Sequence, residues 1–271
     1  MFTNKTAFIS GASRGIGKAI ALKLAQHGAN IIIAAKTTEP QPNLEGTIYT
    51  AAAEIEAAGG KAFAVVCDVR DGQSIKDAID KGAAHFGGID ILVNNASAIG
   101  LTTIQQTEAK RFDLMHGINV RGTFLVSKYC IPYLKKSTTA HVLTLSPPID
   151  LNKKWFGAHA VYTASKYSMS MIALGIAEEC KADNIASNCL WPRTTIATAA
   201  VKNLLGGDAL MAMSRKPEII ADAAFEIFKQ PCTYTGQTLI DDDVLAQLAG
   251  ITNLDSYAVT PGGKLFTDLF L

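Results

Sequence analysis

The residues with most chemistry in this sequence are a tyrosine and a lysine four apart, in the run Tyr162-Thr163-Ala164-Ser165-Lys166. At the start of a helix that spacing puts both side chains on one face. A free tyrosine titrates near 10, so a phenol that moves protons at neutral pH needs a shift of about three units, roughly 4 kcal/mol at 1.36 kcal/mol per unit. One ammonium about 4 Å away supplies roughly 4 kcal/mol at an effective dielectric of 20. The lysine is therefore sufficient in magnitude. Taken alone, a tyrosine and a lysine at this spacing read as surface. Context changes the reading, because a strand ending in Ser146 precedes the pair and a helix carrying Asn119 precedes that strand.

A second cluster is Ser10-Gly11-Ala12-Ser13-Arg14-Gly15-Ile16-Gly17, entered by an apolar run and left by a helical pattern. The spacing G-x-x-x-G-x-G differs from the G-x-G-x-x-G of the ordinary dinucleotide fingerprint. The physics is shared: glycines let backbone N–H groups and a helix N-terminus approach a pyrophosphate. Gly11, Ser13, Arg14, Gly15, Ile16 and Gly17 are thus candidate cofactor contacts. About twenty residues further on, an NAD enzyme places an acid on the ribose 2′-hydroxyl. Here the second strand ends Ala34-Ala35-Lys36, with no acid until Glu39. Arg14 and Lys36 together suit a 2′-phosphate and predict NADP(H) as cofactor. Either one alone reads equally as a solvated surface charge.

Positioning these residues requires a particular scaffold. Short β-branched runs alternate with longer helical patterns as far as about residue 240, the signature of βαβ units around a parallel sheet covered on both faces. Strands are predicted at 6–10, 30–35, 62–67, 89–94, 141–146, 186–191 and 238–240, and helices at 15–27, 48–58, 73–86, 110–135, 161–181 and 217–229. The expected fold is a single Rossmann-type, doubly wound α/β domain with a seven-stranded parallel sheet over residues 1–241. Residues 242–271 are expected to form a tail packed on the same domain or on a neighbouring subunit. The stretch 37–46 reads as a long loop, and 194–214 as a mobile lid over a substrate.

In order and in spacing, the glycine loop, Asp68 after the third strand, Asn94-Asn95-Ala96-Ser97 after the fourth, Asn119, Ser146 and Tyr162-x-x-x-Lys166 closely resemble the short-chain dehydrogenase/reductase family, over residues 5 to about 241. The resemblance implies that Tyr162 is the general acid/base and that Lys166 lowers its pKa and binds the nicotinamide ribose. It implies that Ser146 holds the substrate oxygen and that Asn119 positions a water for the proton relay. It assigns Asp68 and Val69 to the adenine, Asn95, Ala96 and Ser97 to the adenosine side of the cofactor, and Pro192 with a following threonine to the nicotinamide. That threonine is Thr194, Thr195 or Thr198. The family's fourth-strand motif ends in glycine where Ser97 stands, and glycine is usual where Arg193 follows Pro192. The interval between Ser146 and Tyr162 is slightly long and carries Pro147, Pro148, Trp155 and Phe156, which suits an apolar substrate or packing beneath the loop. Further details, including Thr47 to Ala52, Cys130 to Lys136, Tyr167 to Met171 and residues near 257–261, resemble the reductase domain of one branch of the family. The activity implied is interconversion of a secondary alcohol and a ketone. The rival expectation is a dinucleotide-binding sensor or scaffold without catalysis.

Composition narrows the partners. Lys plus Arg number 25 against 24 Asp plus Glu, for a formal charge of +1. With no block of like charge, a nucleic-acid partner is not expected. Charged residues are only 18% of the 271 and the apolar and aromatic set 48%, enough for a sizeable core. The five cysteines have no C-x-x-C pair and no metal-ligand rhythm with the five histidines, so no metal is expected and the thiols read as reduced. No run approaches the roughly 18 apolar residues of a membrane span. The expectation is a soluble, unprocessed cytoplasmic protein, or one of another reducing compartment, acting on a small alcohol or ketone. By the family resemblance it is a homodimer or homotetramer paired through helices 110–135 and 161–181.

Overall fold

The computed structural model describes residues 2–271. Seven strands form one sheet: β1 (Thr6–Ser10), β2 (Asn30–Ala35), β3 (Lys61–Val66), β4 (Ile91–Asn94), β5 (Ala140–Leu145), β6 (Ile185–Trp191) and β7 (Thr238–Ile240). Their order is β3-β2-β1-β4-β5-β6-β7 and every pairing is parallel. The central strands are buried along their whole length because both faces are covered. One face buries Ile9, Ile31, Ile33 and Val93 against α1 (Gly15–Gln26), α2 (Ile48–Ala57) and α8 (Glu218–Phe228). The other buries Phe8, Ile32, Leu92 and Val142 against α3 (Gly72–Phe86) and α5 (Thr123–Leu134). The chain winds one way from β1 to β3 and the other way from β4 to β7. A crevice therefore opens at the carboxyl ends of β1 and β4, where such sheets bind ligands.

Local signals fix several element ends. Thr47 and Thr50 cap α2 reciprocally. Asp71 accepts from the Gln73 and Ser74 N–H groups at the start of α3, and Gly87, with φ of +89°, ends that helix in the left-handed region.

Four expectations need correction. The helix placed at 110–135 is α4 (Ala109–Met115) and α5 joined by a π-helical turn, His116–Gly122. Wide turns of this kind are frequent at functional sites. The helix placed at 161–181 begins eight residues earlier, as α6 (Lys153–Glu179), with a non-helical residue at His159. Its first turns take in Trp155 and Phe156, expected in a loop, and Asn152 caps it through the Lys154 N–H. The lid region folds into a π-helical turn, Val201–Leu205, and α7 (Gly207–Ala212). Finally, residues after 240 do not lose regular structure at once: α9 (Asp241–Ala249) follows β7 directly.

Beyond α9 the chain runs back over the carboxyl edge of the sheet. The Val259 N–H donates to Ser214 O and the Lys216 N–H to Tyr257 O, while the Phe266 N–H donates to Met213 O and the Thr195 N–H to Phe266 O. The lid expected to be mobile is thus stitched to the tail. A third apolar cluster lies there, with Met115, Trp155, Tyr162, Tyr167, Trp191, Ile240 and Phe270.

Candidate active site

The glycine loop is shaped by contacts only glycine permits. Gly11 has φ of +68°, and a Cβ built on Gly17 would lie 2.5 Å from Asn95 Nδ2 and 2.8 Å from Gly11 O. Asn95 sits there because its amide donates to Ser10 O (2.9 Å) and Gly11 O (3.1 Å), tying the end of β4 to the loop after β1. The Ser10 hydroxyl accepts from the Asn95 and Ala96 N–H groups and donates to Val93 O. Ser10 was not singled out from sequence, where a strand-end serine carries no signal. Ser13 is buried, while Arg14, Gly15 and Ile16 are half-buried at the start of α1.

Arg14 does not point freely. Its Nε donates to Glu45 O (2.8 Å) and its Nη2 to Gly46 O (2.6 Å), which fastens the 37–46 loop over the glycine loop. Lys36 is exposed at the end of β2. Asp68 is paired with its neighbour Arg70, and hydrogen bonds from that guanidinium hold its carboxyl down at about 2. Val69 is buried beside it, against the position of Gly122.

Asn119 sits in the π-helical turn with its side chain fully satisfied. Its Oδ1 accepts from the Ala98 N–H (2.8 Å) and the Ser97 hydroxyl (3.1 Å), and its Nδ2 donates to Ala98 O and Ser165 Oγ, both at 2.9 Å. Ser165 Oγ donates in turn to Tyr162 O (2.8 Å). The serine at the place of the family's glycine is therefore turned toward Asn119, and Ser165 links Asn119 to the turn that carries Tyr162. Ser165 lies inside the Tyr–Lys motif, which could have flagged it.

Lys166 reaches the end of β5, where Ser146 follows Leu145, and both Lys166 and Tyr162 lie by Trp191 at the end of β6. All three are buried, Tyr162 at 4%, Lys166 at 2% and Ser146 at 0% exposure. Lys166 Nζ donates to Leu145 O (2.6 Å), contacts Met169 Sδ (3.3 Å) and lies 5.0 Å from the centre of the Trp191 ring. Burial pulls this ammonium down to about 7. Burial also pushes the Tyr162 hydroxyl well above the ordinary tyrosine range, with the Asp268 carboxylate adding in the same sense. Desolvation is the larger cause of the rise at Tyr162, and it disfavours the charged form of the phenol. Ser146 Oγ is buried with no nitrogen or oxygen hydrogen-bond partner among the described residues, the weakly bonding Cys189 thiol being its one polar neighbour.

The three threonines after Pro192 differ. Thr195 Oγ1 bonds Ser214 Oγ (2.8 Å), and the Thr198 methyl would lie 3.4 Å from a Cβ on Gly15. Thr194 Oγ1 is buried and unpartnered. Pro192 is buried. Arg193 takes a role no glycine could, its guanidinium reaching Asp242 and Asp243, while its backbone N–H, which a glycine would share, donates to Asp241 Oδ1. Asp268 and Phe270 were missed, since nothing in a tail sequence says where it folds back.

A doubly wound parallel sheet with a glycine loop at its switch point, and a buried Tyr–Lys pair beside a serine, defines a nucleotide-binding oxidoreductase. A family profile described as short chain dehydrogenase matches residues 5–207, and the chain belongs to that family, whose members act on CH–OH groups with NAD(P). It is 60% identical over 266 residues to hydroxysteroid dehydrogenase-like protein 2 of Danio rerio, and 58% to that of Homo sapiens, in each case over 98% of this chain. The chain spans 63% of the length of those two relatives. Among solved structures, a short chain dehydrogenase of Mycobacterium thermoresistibile is 55% identical with a TM-score of 0.95, covering 100% of this chain and 96% of that one. A metagenomic short-chain oxidoreductase in complex with NADP is 25% identical with a TM-score of 0.71, covering 88% of this chain and 97% of that one. Among the described residues no helix is long and apolar enough to cross a membrane, no cluster of three or more His, Cys, Asp or Glu could hold a metal, and all five cysteines are free.

Proposed function

We propose that this chain is an NADP(H)-dependent oxidoreductase that interconverts a secondary alcohol and a ketone bearing an apolar group. The observation that carries the proposal is the Ser146 hydroxyl, buried without a nitrogen or oxygen partner beside Leu145, whose carbonyl holds Lys166. An unsatisfied buried hydroxyl costs about 1–3 kcal/mol, a cost that a substrate oxygen would remove. The residues present also fit a dinucleotide. At Gly11 and Gly17 the loop, Asn95 and the start of α1 pack closer than a Cβ allows, the tight turn a pyrophosphate-binding loop needs, and the buried Thr194 hydroxyl is unpartnered in the segment that by family resemblance meets the carboxamide.

Gly11, Ser13, Gly15, Ile16 and Gly17 would hold the pyrophosphate. Asp68 and Val69 would hold the adenine, Asn95, Ala96 and Ser97 the adenosine side, and Pro192 and Thr194 the nicotinamide. The cofactor supplies or accepts the hydride. Tyr162 delivers the proton to the carbonyl oxygen in reduction and takes it back in oxidation, while Ser146 donates a hydrogen bond to the same oxygen without neutralising a phenolate. Burial penalises Tyr162 as an anion and Lys166 as a cation, so each charge stabilises the other when both are present. Asn119, through Ser165, holds the turn on which Tyr162 stands and lies where a relay water would be positioned. Lys36 at the end of β2, with Arg14 holding the neighbouring loop, supports a 2′-phosphate, and the metagenomic oxidoreductase binds NADP. Phe124 on α5 and Met171 on α6 are large exposed apolar groups that support a homodimer or homotetramer through these helices. Free thiols support a reducing compartment.

The test is turnover of purified protein with NADPH on a panel of apolar ketones. Tyr162→Phe is expected to abolish turnover while NADPH still binds. Absence of turnover on the whole panel, with Tyr162→Phe indistinguishable from the parent, overturns the proposal.

A further inference from the structure

Tyr162 is covered by the segment 267–271. Phe270 is 1% exposed. Its ring centre lies 6.1 Å from that of Tyr162, 5.3 Å from Tyr167, 5.4 Å from Trp155, 5.9 Å from His159 and 5.8 Å from Trp191. These separations are those of packed aromatic pairs. The partners stand on α6 and β6, whereas Phe270 comes from a segment with neither helix nor strand ladder.

That segment is held by a few bonds. The Asp268 N–H donates to Arg193 O (3.0 Å), Thr267 bridges Thr194, Trp191 Nε1 donates to Leu269 O (2.8 Å) and Lys154 Nζ donates to Leu271 O (3.1 Å). Phe270 itself has φ of +72°, the left-handed region that a phenylalanine rarely enters. Backbone of this kind costs of order 1–3 kcal/mol, persists only where the surroundings impose it and clusters at sites that bind or switch. Tyr162 is buried beneath this ring, so a ketone carrying a large group reaches it only when some group withdraws. The partner rings stand on α6 and β6, whereas the strained ring belongs to a segment outside any helix or strand and is the group that would withdraw.

We propose that Phe270 is the specificity-determining residue of this site. Its ring occupies the place of the substrate's apolar group, and a ketone with a group of about phenyl size binds by displacing it. This deepens the oxidoreductase reading above and rests on it. The chain holds two tryptophans, Trp155 and Trp191, and both pack on Phe270, so tryptophan emission reports the position of this ring with or without turnover.

Three proteins decide the matter: the parent, Phe270→Ala and the milder Phe270→Leu. Acrylamide quenching is measured with NADP+ alone and with NADP+ plus acetophenone, and kcat and KM are measured with NADPH on acetone, cyclohexanone and acetophenone. In the parent, acetophenone is expected to raise the quenching constant at least twofold. In Phe270→Ala quenching is expected to be high from the start and unchanged by the ketone, and KM for cyclohexanone and acetophenone to fall at least tenfold while that for acetone moves less than threefold. Phe270→Leu is expected to fall between, which reads the effect even if the alanine variant folds poorly. A parent that turns over acetophenone with unchanged quenching, or a KM shift equal for all three ketones, overturns the inference while leaving the oxidoreductase reading standing. No turnover of any ketone by any of the three overturns both.

Discussion

Gly17→Ala isolates the part of the cofactor site that the sequence and the structure read in opposite ways. By helix propensity alone, alanine in place of glycine in α1 gains up to about 1 kcal/mol. The structure reverses the sign, since the new Cβ would lie 2.5 Å from Asn95 Nδ2, 2.8 Å from Gly11 O and 3.1 Å from Ala12 Cα. Two of these three are backbone atoms of the loop itself and cannot swing away. Asn95 must move, losing its bonds to Ser10 O and Gly11 O, each worth about 1 kcal/mol net. Subtracting the propensity gain leaves a net loss of about 1 kcal/mol before any shift of the loop. Cofactor binding should suffer more, because the backbone N–H groups aimed at the pyrophosphate move with Gly11. The expected result is at least a tenfold rise in Kd, the equivalent of about 1.4 kcal/mol.

The assays are urea unfolding and NADPH titration by fluorescence, applied to Gly17→Ala, Asn95→Ala and the double variant. If displacement of Asn95 is the main injury, the double variant loses about 2 kcal/mol less than the sum of the singles, since both remove the same two hydrogen bonds. A Gly17→Ala protein as stable as the parent and with unchanged NADPH affinity refutes the reasoning, and strict additivity refutes the role given to Asn95.

Two further outcomes are expected. Lys36→Asp should weaken NADPH at least tenfold and improve NADH, with Arg14 still fixed on Glu45 and Gly46; an unchanged preference in paired titrations would remove the 2′-phosphate assignment. Asp268, where burial pushes the carboxyl up to about 7, supplies a pH test. Its folded value lies above the ordinary aspartate value of 3.8, so the stability it contributes is present below about pH 4 and lost as pH rises to 7. The parent's Tm should therefore fall relative to that of Asp268→Asn across this window, and a constant difference would show that the carboxyl is not shifted.

Much of the architecture was readable because it rests on local periodicity. The alternation of β-branched runs with helical patterns predicts all seven strands to within two residues, and parallel order follows from the crossovers. The start of α6 was not readable, because Lys153 to Ala158 lies behind two prolines, and its Asn152 cap and the packing of Trp155 on Phe270 are not visible as a periodic pattern. The helix α9 escaped for a related reason: its first turn is Asp241, Asp242 and Asp243, a run that reads as solvated until Arg193 is brought against it.

The site divides along the same line. Residue type and spacing along the chain determine which groups are available: Gly11, Gly15 and Gly17 for a close approach, Tyr162 and Lys166 on one helical face, Ser146 at a strand end. Tertiary structure decides what those groups experience. It turns Arg14 onto backbone carbonyls and leaves Ser146 and Thr194 without nitrogen or oxygen partners. It drives Tyr162 and Lys166 toward their neutral forms and lays Phe270 against Tyr162. Spacing acts within a few residues and can be read directly, whereas desolvation and occlusion depend on which distant segment covers a side chain, and here that segment lies about a hundred residues further along the chain.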